Sequence, residues 1–206
     1  MQLWPRSKPE QAPSSPAPAK LESLERALLR GVGRGRRADF ESLYRLYHPR
    51  LQRFLSQLTR HAELVEEVLD DTMMVVWQKP DAFDGRSKLS TWIFGIAYRK
   101  TMKALGRLDL PQEDVDPDMQ ADPALNPEQL LNLVQVQARL QAAMSELSAD
   151  HRAVVELCYF HGMAHGEIAE VVGCPPETVK TRMFYARRRL RLLLADLSEH
   201  GQGEGP

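Results

Sequence analysis

Two segments of the chain are rich in basic side chains. Residues 85–108 include no acidic residue and carry the bases Arg86, Lys88, Arg99, Lys100, Lys103 and Arg107. Residues 180–191 carry the bases Lys180, Arg182, Arg187, Arg188, Arg189 and Arg191. Lysine and arginine at this density can bind phosphates and the edges of bases, so both segments are candidates for contact with nucleic acid. For the second segment, the alternative is a solvated basic face on an ordinary bundle helix.

An acidic segment separates the two basic ones. Residues 109–128 hold seven acids and no base, and they include four prolines. The formal net charge of the 206 residues is −1, so the total conceals this alternation of sign. We interpret residues 108–127 as a flexible acidic linker between two domains.

Other kinds of chemistry find little support in the residue patterns. A zinc site could be built from Cys158, His161, His165 and Cys174, but their spacing is not that of a zinc finger or ribbon. The glycines at positions 31, 33 and 35 are neither preceded by a strand nor followed by Lys-Ser or Lys-Thr, so they do not form a phosphate loop. With no hydrolase, metalloprotease or kinase motif either, we expect no enzyme activity, no metal and no cofactor.

The elements that would position the first basic segment are helical. Apolar residues recur at three- and four-residue spacing over residues 40–58 and 64–77, and Pro80 ends the second run. A loop at residues 81–88 leads to a further helix from about residue 90 to residue 106. No Asn-Gly or Asp-Gly hairpin signal lies between alternating strands, so we predict an all-α fold.

The second basic segment follows a predicted helix-turn-helix. A short helix at residues 167–172 is followed by Gly173, which permits a tight turn, and by a long helix from Glu177. Ala169 is small enough for the two helices to cross closely, and Val179 would fill their shared core. In such a unit the start of the second helix enters the major groove of DNA.

The ends and the composition of the chain indicate where it works. Residues 1–20 form a Pro-rich tail with too little apolar surface to fold, a short helix is expected at residues 21–30, and residues 198–206 form a polar tail. No stretch is apolar enough for a membrane helix, and no secretory signal opens the chain. We therefore expect a cytoplasmic protein of two helical domains, at residues 21–107 and 128–197.

The segment from Phe83 to Ala97, which reads FDGRSKLSTWIFGIA, resembles the part of extracytoplasmic-function (ECF) sigma factors that melts promoters and reads the −10 element. Residues 62–77 resemble the polymerase-binding helix of that family, and residues 164–190 resemble its −35-reading domain. The resemblance covers residues 39–194 in the family's order. One departure is Tyr98-Arg99, where family members often have Arg-Asn.

The resemblance implies a role for three sets of side chains. Carboxylates on the third helix would face the β′ clamp helices of core RNA polymerase: Glu66, Glu67, Asp70 and Asp71. The −10 element would be read and melted by Asp84, Arg86, Ser87, Lys88, Trp92, Arg99, Lys100 and Lys103. The −35 element would be read by Thr178, Lys180, Thr181, Arg182, Phe184, Arg187 and Arg188. For the acidic side chains, the alternative is a plain solvated helix face. For Trp77, Trp92 and Phe94, the alternative is a place in the hydrophobic core.

The partners implied by the resemblance are core RNA polymerase, promoter DNA and an anti-sigma factor that would hide both domains. The polymerase would be contacted at its β′ clamp helices and its β flap. The protein would start transcription in a stress or envelope response. The rival hypothesis is a stand-alone helix-turn-helix regulator, which would bind duplex DNA specifically without polymerase.

Overall fold

A computed structural model describes residues 18–108 and 127–200 of the chain, and the predicted linker lies almost wholly outside these residues. The described residues form eight α-helices, one 3-10 turn and no strand, as the all-α prediction requires. The helices are α1 (Pro18–Gly33), α2 (Arg37–Leu58), α3 (Ala62–Gln78), α4 (Leu89–Leu108), α5 (Pro127–Ser145), α6 (Ala149–Tyr159), α7 (His165–Val172) and α8 (Pro176–His200). The 3-10 turn, Pro80–Ala82, precedes α4.

Helix α1 is longer than the sequence pattern predicts. We expected it to end before Gly31, but it continues to Gly33. The carbonyl of Gly31 accepts the N–H groups of Arg34 and Arg36, which closes the last turn. The chain then reverses at Gly35, whose φ of 73° lies in the left-handed region that favours glycine.

Helices α1 to α4 form the first bundle. The buried stripe of α2 includes Leu43, Leu51 and Leu55, which recur at helical spacing and are fully covered. Pro49 lies inside α2, where it removes one helix hydrogen bond without ending the helix. Helix α3 packs against α2 and α4, and its buried stripe, which includes Leu69 and Met73, completes this core.

Helices α5 to α8 form the second bundle, and α7 and α8 form the predicted helix-turn-helix. Gly173 ends α7 with a φ of 68°, in the left-handed region. Val179 is completely buried and Ala169 nearly so, which confirms their predicted place in the core of the unit. The sequence pattern therefore located this motif to within two residues.

The two bundles lie against each other. Helix α4 packs on α7, and α2 packs on α6. Buried apolar side chains form one continuous cluster that includes Phe94 of the first bundle and Leu157 of the second. This contact brings the predicted −10 segment next to the predicted −35 domain.

Candidate nucleic-acid interface

The loop between the 3-10 turn and α4 has a defined shape. Gly85 has a φ of 76°, and the side-chain Oδ1 of Asp84 accepts the backbone N–H of Arg86 at 3.0 Å. The side chains of Asp84 and Arg86 also form an exposed ion pair at 3.3 Å. A donor and an acceptor therefore stand side by side in solvent, while Ser87 is partly buried. Such a pair can hydrogen-bond an extruded base, whose release from the stack costs a few kcal/mol.

Lys88, at the end of this loop, contacts two other helices. Its Nζ lies 2.9 Å from Oε1 of Glu167 in α7 and 3.5 Å from Oε1 of Glu22 in α1. The hydrogen bond to Glu167 is the main reason why the pKa of Lys88 is raised. In this arrangement a predicted DNA contact is held by the second domain.

The basic side chains of α4 differ in their surroundings. Arg99 and Lys103 are exposed, as a contact with a DNA backbone requires. Lys100 is half-buried, and its Nζ donates to Oδ2 of Asp71 at 2.6 Å. The structure thus joins a predicted −10 residue to a predicted polymerase-binding residue.

The aromatic side chains of α4 are not equally open to a base. Trp92 is partly exposed, and its ring centroid lies 5.6 Å from that of Phe83. Phe94 is fully buried between Phe54 and His161, with ring centroids at 5.2 and 4.6 Å. Trp92 can therefore offer a stacking face, whereas Phe94 belongs to the core in this arrangement.

The other predicted polymerase-binding carboxylates lie on the solvent side of α3. Glu66, Glu67 and Asp70 are exposed, and the apolar side chain of Met74 beside them is 51% exposed. The charges of Asp70 and Glu66 reach Tyr44 of α2, where burial first and these charges next raise the pKa of its hydroxyl. Acidic and apolar groups are thus combined on one helix face, which is suited to a basic, partly apolar partner surface.

Most predicted −35 residues line the exposed face of α8. The exposed ones are Lys180, Thr181, Phe184, Arg187 and Arg188, and the partly buried ones are Thr178 and Arg182. A groove of about 520 Å³ runs along this face, with His165 of α7 at its side. Cations, a hydroxyl and an aromatic ring thus lie together on one exposed helix face, and such groups can contact phosphates and base edges.

Two contacts orient the side chains at the start of α8. Oε1 of Glu177 accepts from Lys180 at 2.7 Å, and the Glu177 carbonyl accepts from the hydroxyl of Thr181 at 3.0 Å. Further along, the guanidinium of Arg187 lies 5.5 Å from the ring centroid of Tyr159 in α6. These are exposed, weak interactions, so the side chains can exchange them for contacts with DNA.

Arg182 is engaged differently. Its Nη2 lies 2.6 Å from Oδ2 of Asp150, and Oδ1 of Asp150 accepts from the hydroxyl of Tyr98 at 2.7 Å. Tyr98 belongs to α4, so one carboxylate joins the −10 helix to the predicted −35 helix. Burial, followed by the hydrogen bond to Asp150, raises the pKa of Tyr98, which keeps the hydroxyl protonated as a donor.

The two cysteines form no disulfide bond. Cys158 and Cys174 are free thiols. In the part of the chain that the structure describes, no group of three or more His, Cys, Asp or Glu side chains is placed to hold a metal ion. None of the helices described here is both long and apolar enough to cross a membrane.

Comparison with known proteins decides the family. The model of Sigma-70 region 2 matches residues 43–109, and that of Sigma-70 region 4 matches residues 137–190. The ECF RNA polymerase sigma factor RpoE of Cereibacter sphaeroides is 34% identical over 170 residues, which are 80% of this chain and 92% of the relative. The chain belongs to the ECF sigma factors. SigL of Mycobacterium tuberculosis, also an ECF sigma factor, is 28% identical over 172 residues, or 83% of this chain and 97% of SigL.

A solved structure agrees with this assignment. The sigma factor RpoE from Bartonella quintana, crystallised with the anti-sigma factor NepR, matches with a TM-score of 0.61 and 28% identity, over 76% of this chain and 97% of that one. The matches favour a sigma factor over a stand-alone helix-turn-helix regulator, because both sigma regions occur in the family's order.

Several residues of this ECF sigma factor that contact the predicted site escaped the sequence analysis. They are Arg26 and Glu22 of α1, Asp150 of α6 and Glu167 of α7. Each lies far along the chain from its partner in the predicted site, so no local spacing marks it. The sequence around an acidic residue on a helix surface does not indicate which lysine or arginine it will pair with.

Proposed function

We propose that this sigma factor directs core RNA polymerase to promoters with the residues predicted from its sequence. Exposed carboxylates of α3 would contact the polymerase, the loop before α4 would read the −10 element, and α8 would read the −35 element. The observation that carries the proposal is the helix-turn-helix, because its second helix exposes Lys180, Thr181 and Arg187 in its first four turns. Those are the positions from which a recognition helix reaches base edges.

DNA binding by both domains requires that the two bundles separate. Lys88 of the first bundle is paired with Glu167 of the second, and α4, which carries other predicted −10 residues, packs on α7. The predicted −10 segment therefore lies against the second bundle. The polymerase would supply the free energy of separation by binding each domain at its own site. The acidic linker, predicted at residues 108–127, would then span the two sites.

We also propose that the protein catalyses no reaction of its own, acts in the cytoplasm with RNA polymerase, and is controlled by an anti-sigma factor. The family supports the first two points, since its members are transcription initiation factors. The third rests on the Bartonella relative, which was crystallised with an anti-sigma factor.

The experiment that tests the proposed function mixes the purified full-length chain with bacterial core RNA polymerase. We expect co-elution on a sizing column and transcripts from a discrete set of start sites that core enzyme alone does not produce. A matched variant, Glu67→Lys with Asp70→Lys, should fail to co-elute, because it reverses charge on the exposed face of α3. Glu146→Lys with Glu170→Lys makes the same total change at exposed positions outside α3 and should co-elute. No co-elution of the wild-type chain, with specific binding of duplex DNA by the chain alone, would support the stand-alone regulator.

A further inference from the structure

Helix α1 lies outside the residues matched by the family model of region 2, which begin at residue 43. Its Arg26 nevertheless reaches the predicted −10 loop. Nη1 and Nη2 of Arg26 lie 3.3 and 3.2 Å from the carbonyl oxygen of Gly85, and Nη2 also donates to the carbonyl of Ser87 at 3.1 Å. The guanidinium lies 5.5 Å from the ring centroid of Phe83. One side chain therefore contacts the loop at three alternate residues, Phe83, Gly85 and Ser87.

The contact fixes the carbonyl groups of Gly85 and Ser87, the residues on either side of Arg86. A guanidinium is a planar fork with five donors, so it can bond two carbonyls at once in a fixed geometry. With both carbonyls turned toward α1, the side chains of Asp84 and Arg86 are left in solvent on the loop surface. Glu22, one turn before Arg26, adds an ion pair to Lys88 at the end of the loop.

We infer that Arg26 is a positioning residue for promoter recognition: by holding the backbone of residues 83–88 it sets how strictly the loop distinguishes bases of the −10 element. The inference rests on the proposed role of this loop. Discrimination requires donors and acceptors at fixed positions, whereas attraction to phosphates needs only the charge. A loop released from Arg26 would keep its charges and lose its geometry, so it would still bind promoters but would choose among bases less well. The released loop would also lose conformational entropy when it binds. This cost lowers the affinity most for the preferred −10 sequence, because the best contacts require the most ordered loop.

The experiment compares wild type, Arg26→Ala, Arg26→Lys and Arg30→Ala as full chains with core RNA polymerase. Promoter duplexes recovered with the wild-type holoenzyme are randomised one position at a time across the −10 element, and transcript yields give a preference ratio at each position. Arg26→Ala should lower the highest ratio about tenfold, which corresponds to the loss of hydrogen bonds from a charged donor. Arg26→Lys should give an intermediate ratio, because one ammonium group does not reproduce the fork across both carbonyls. Arg30→Ala, an exposed arginine one turn further along α1, should keep the wild-type ratio.

Two further readouts separate positioning from other roles. Amide hydrogen exchange at residues 85–88 should become about tenfold faster in Arg26→Ala, while exchange in α4 and co-elution with core stay as in wild type. An Arg26→Ala protein that uses every promoter less but keeps its ratios would overturn the inference, and so would full recovery of the ratio in Arg26→Lys. Should the wild-type chain itself give no transcripts with core enzyme, the proposed function fails before the role of Arg26 is reached.

Discussion

At the scale of single residues, His161 shows how contact between the domains changes the chemistry of a side chain. Its ring packs on Phe94 and Phe54 of the first bundle, at 4.6 and 6.0 Å between centroids. Burial lowers the pKa of the imidazole to about 4, and the positive charges of Arg50 and Arg53 add to that effect. Nε2 of this ring is buried without a hydrogen-bond partner, so nothing in the described surroundings stabilises a proton there.

Acid should therefore weaken the packed state. The ordinary pKa of histidine is 6.5, so between pH 6.5 and about pH 4 the unfolded chain binds a proton at His161 that the folded chain does not. Stability rises with pH across this window and is lost as the pH falls. We expect the free energy of unfolding to be about 1–2 kcal/mol smaller at about pH 5 than at about pH 7 on account of this residue, measured by urea denaturation.

The control for this prediction is His161→Gln, which keeps a polar side chain and removes the titration. Glu156 also titrates at the interface, but burial raises its pKa and gives the opposite sign. The difference in the pH dependence of the unfolding free energy between wild type and His161→Gln therefore gives the contribution of the histidine alone. An equal pH dependence in both proteins would show that His161 does not titrate as described.

Among the helices, we expect α8 to read the −35 element and α3 to bind the polymerase, each independently of the other. The double variant Lys180→Ala with Arg187→Ala should abolish transcription from a promoter that needs its −35 element, because both cations lie on the exposed face of α8. Removing two phosphate or base contacts costs about 2–4 kcal/mol, or 30- to 1,000-fold in affinity. Co-elution with core enzyme should be unchanged, since α3 is untouched.

A matched pair of exposed cations gives the control for the α8 variant. Arg37→Ala with Arg45→Ala removes the same charge from α2 of the first bundle and should leave −35-dependent transcription close to wild type. Loss of core binding in the α8 variant would mean that the two domains do not divide these tasks.

The elements were predictable from the sequence to the extent that they depend on local patterns. The apolar stripe of α2 and the Ala169, Gly173 and Val179 spacing of the helix-turn-helix are properties of neighbouring residues, so their positions emerged without tertiary information. The extension of α1 to Gly33 was missed, because the bonds that the Gly31 carbonyl accepts depend on how the chain turns back toward α2. The role of Tyr98 was missed too. It was visible only as a departure from the family pattern, and its partner Asp150 lies 52 residues away.

At the level of the whole molecule, polar side chains of the two bundles are paired across a contact that would open in the proposed function. Nε of Arg53 donates to Oε1 of the fully buried Glu156 at 2.8 Å, and the Arg53 guanidinium lies 3.9 Å from the ring centroid of Phe160. Removing Arg53 would leave a buried carboxylate unpaired, which costs about 3–5 kcal/mol and would destabilise the fold as well as the contact. Tyr98 is the better place to test closure, because its hydroxyl can be deleted without changing the packing of its ring.

Tyr98→Phe should loosen the contact between the bundles while leaving each bundle folded. The hydrogen bond that it deletes has a charged acceptor and is worth about 1.5–3 kcal/mol, part of which water recovers by donating to the freed Oδ1 of Asp150. If closure restricts access to α8, the variant chain without polymerase should bind a duplex carrying its −35 element about three- to tenfold more tightly than wild type does, measured by fluorescence anisotropy. Its radius of gyration in X-ray scattering should increase at the same time.

Tyr44→Phe, which deletes a hydroxyl on α2 beside His48, is the matched control and should change neither quantity. A Tyr98→Phe chain with the wild-type radius and affinity would show that the hydrogen bond from Tyr98 to Asp150 does not hold the bundles closed against DNA.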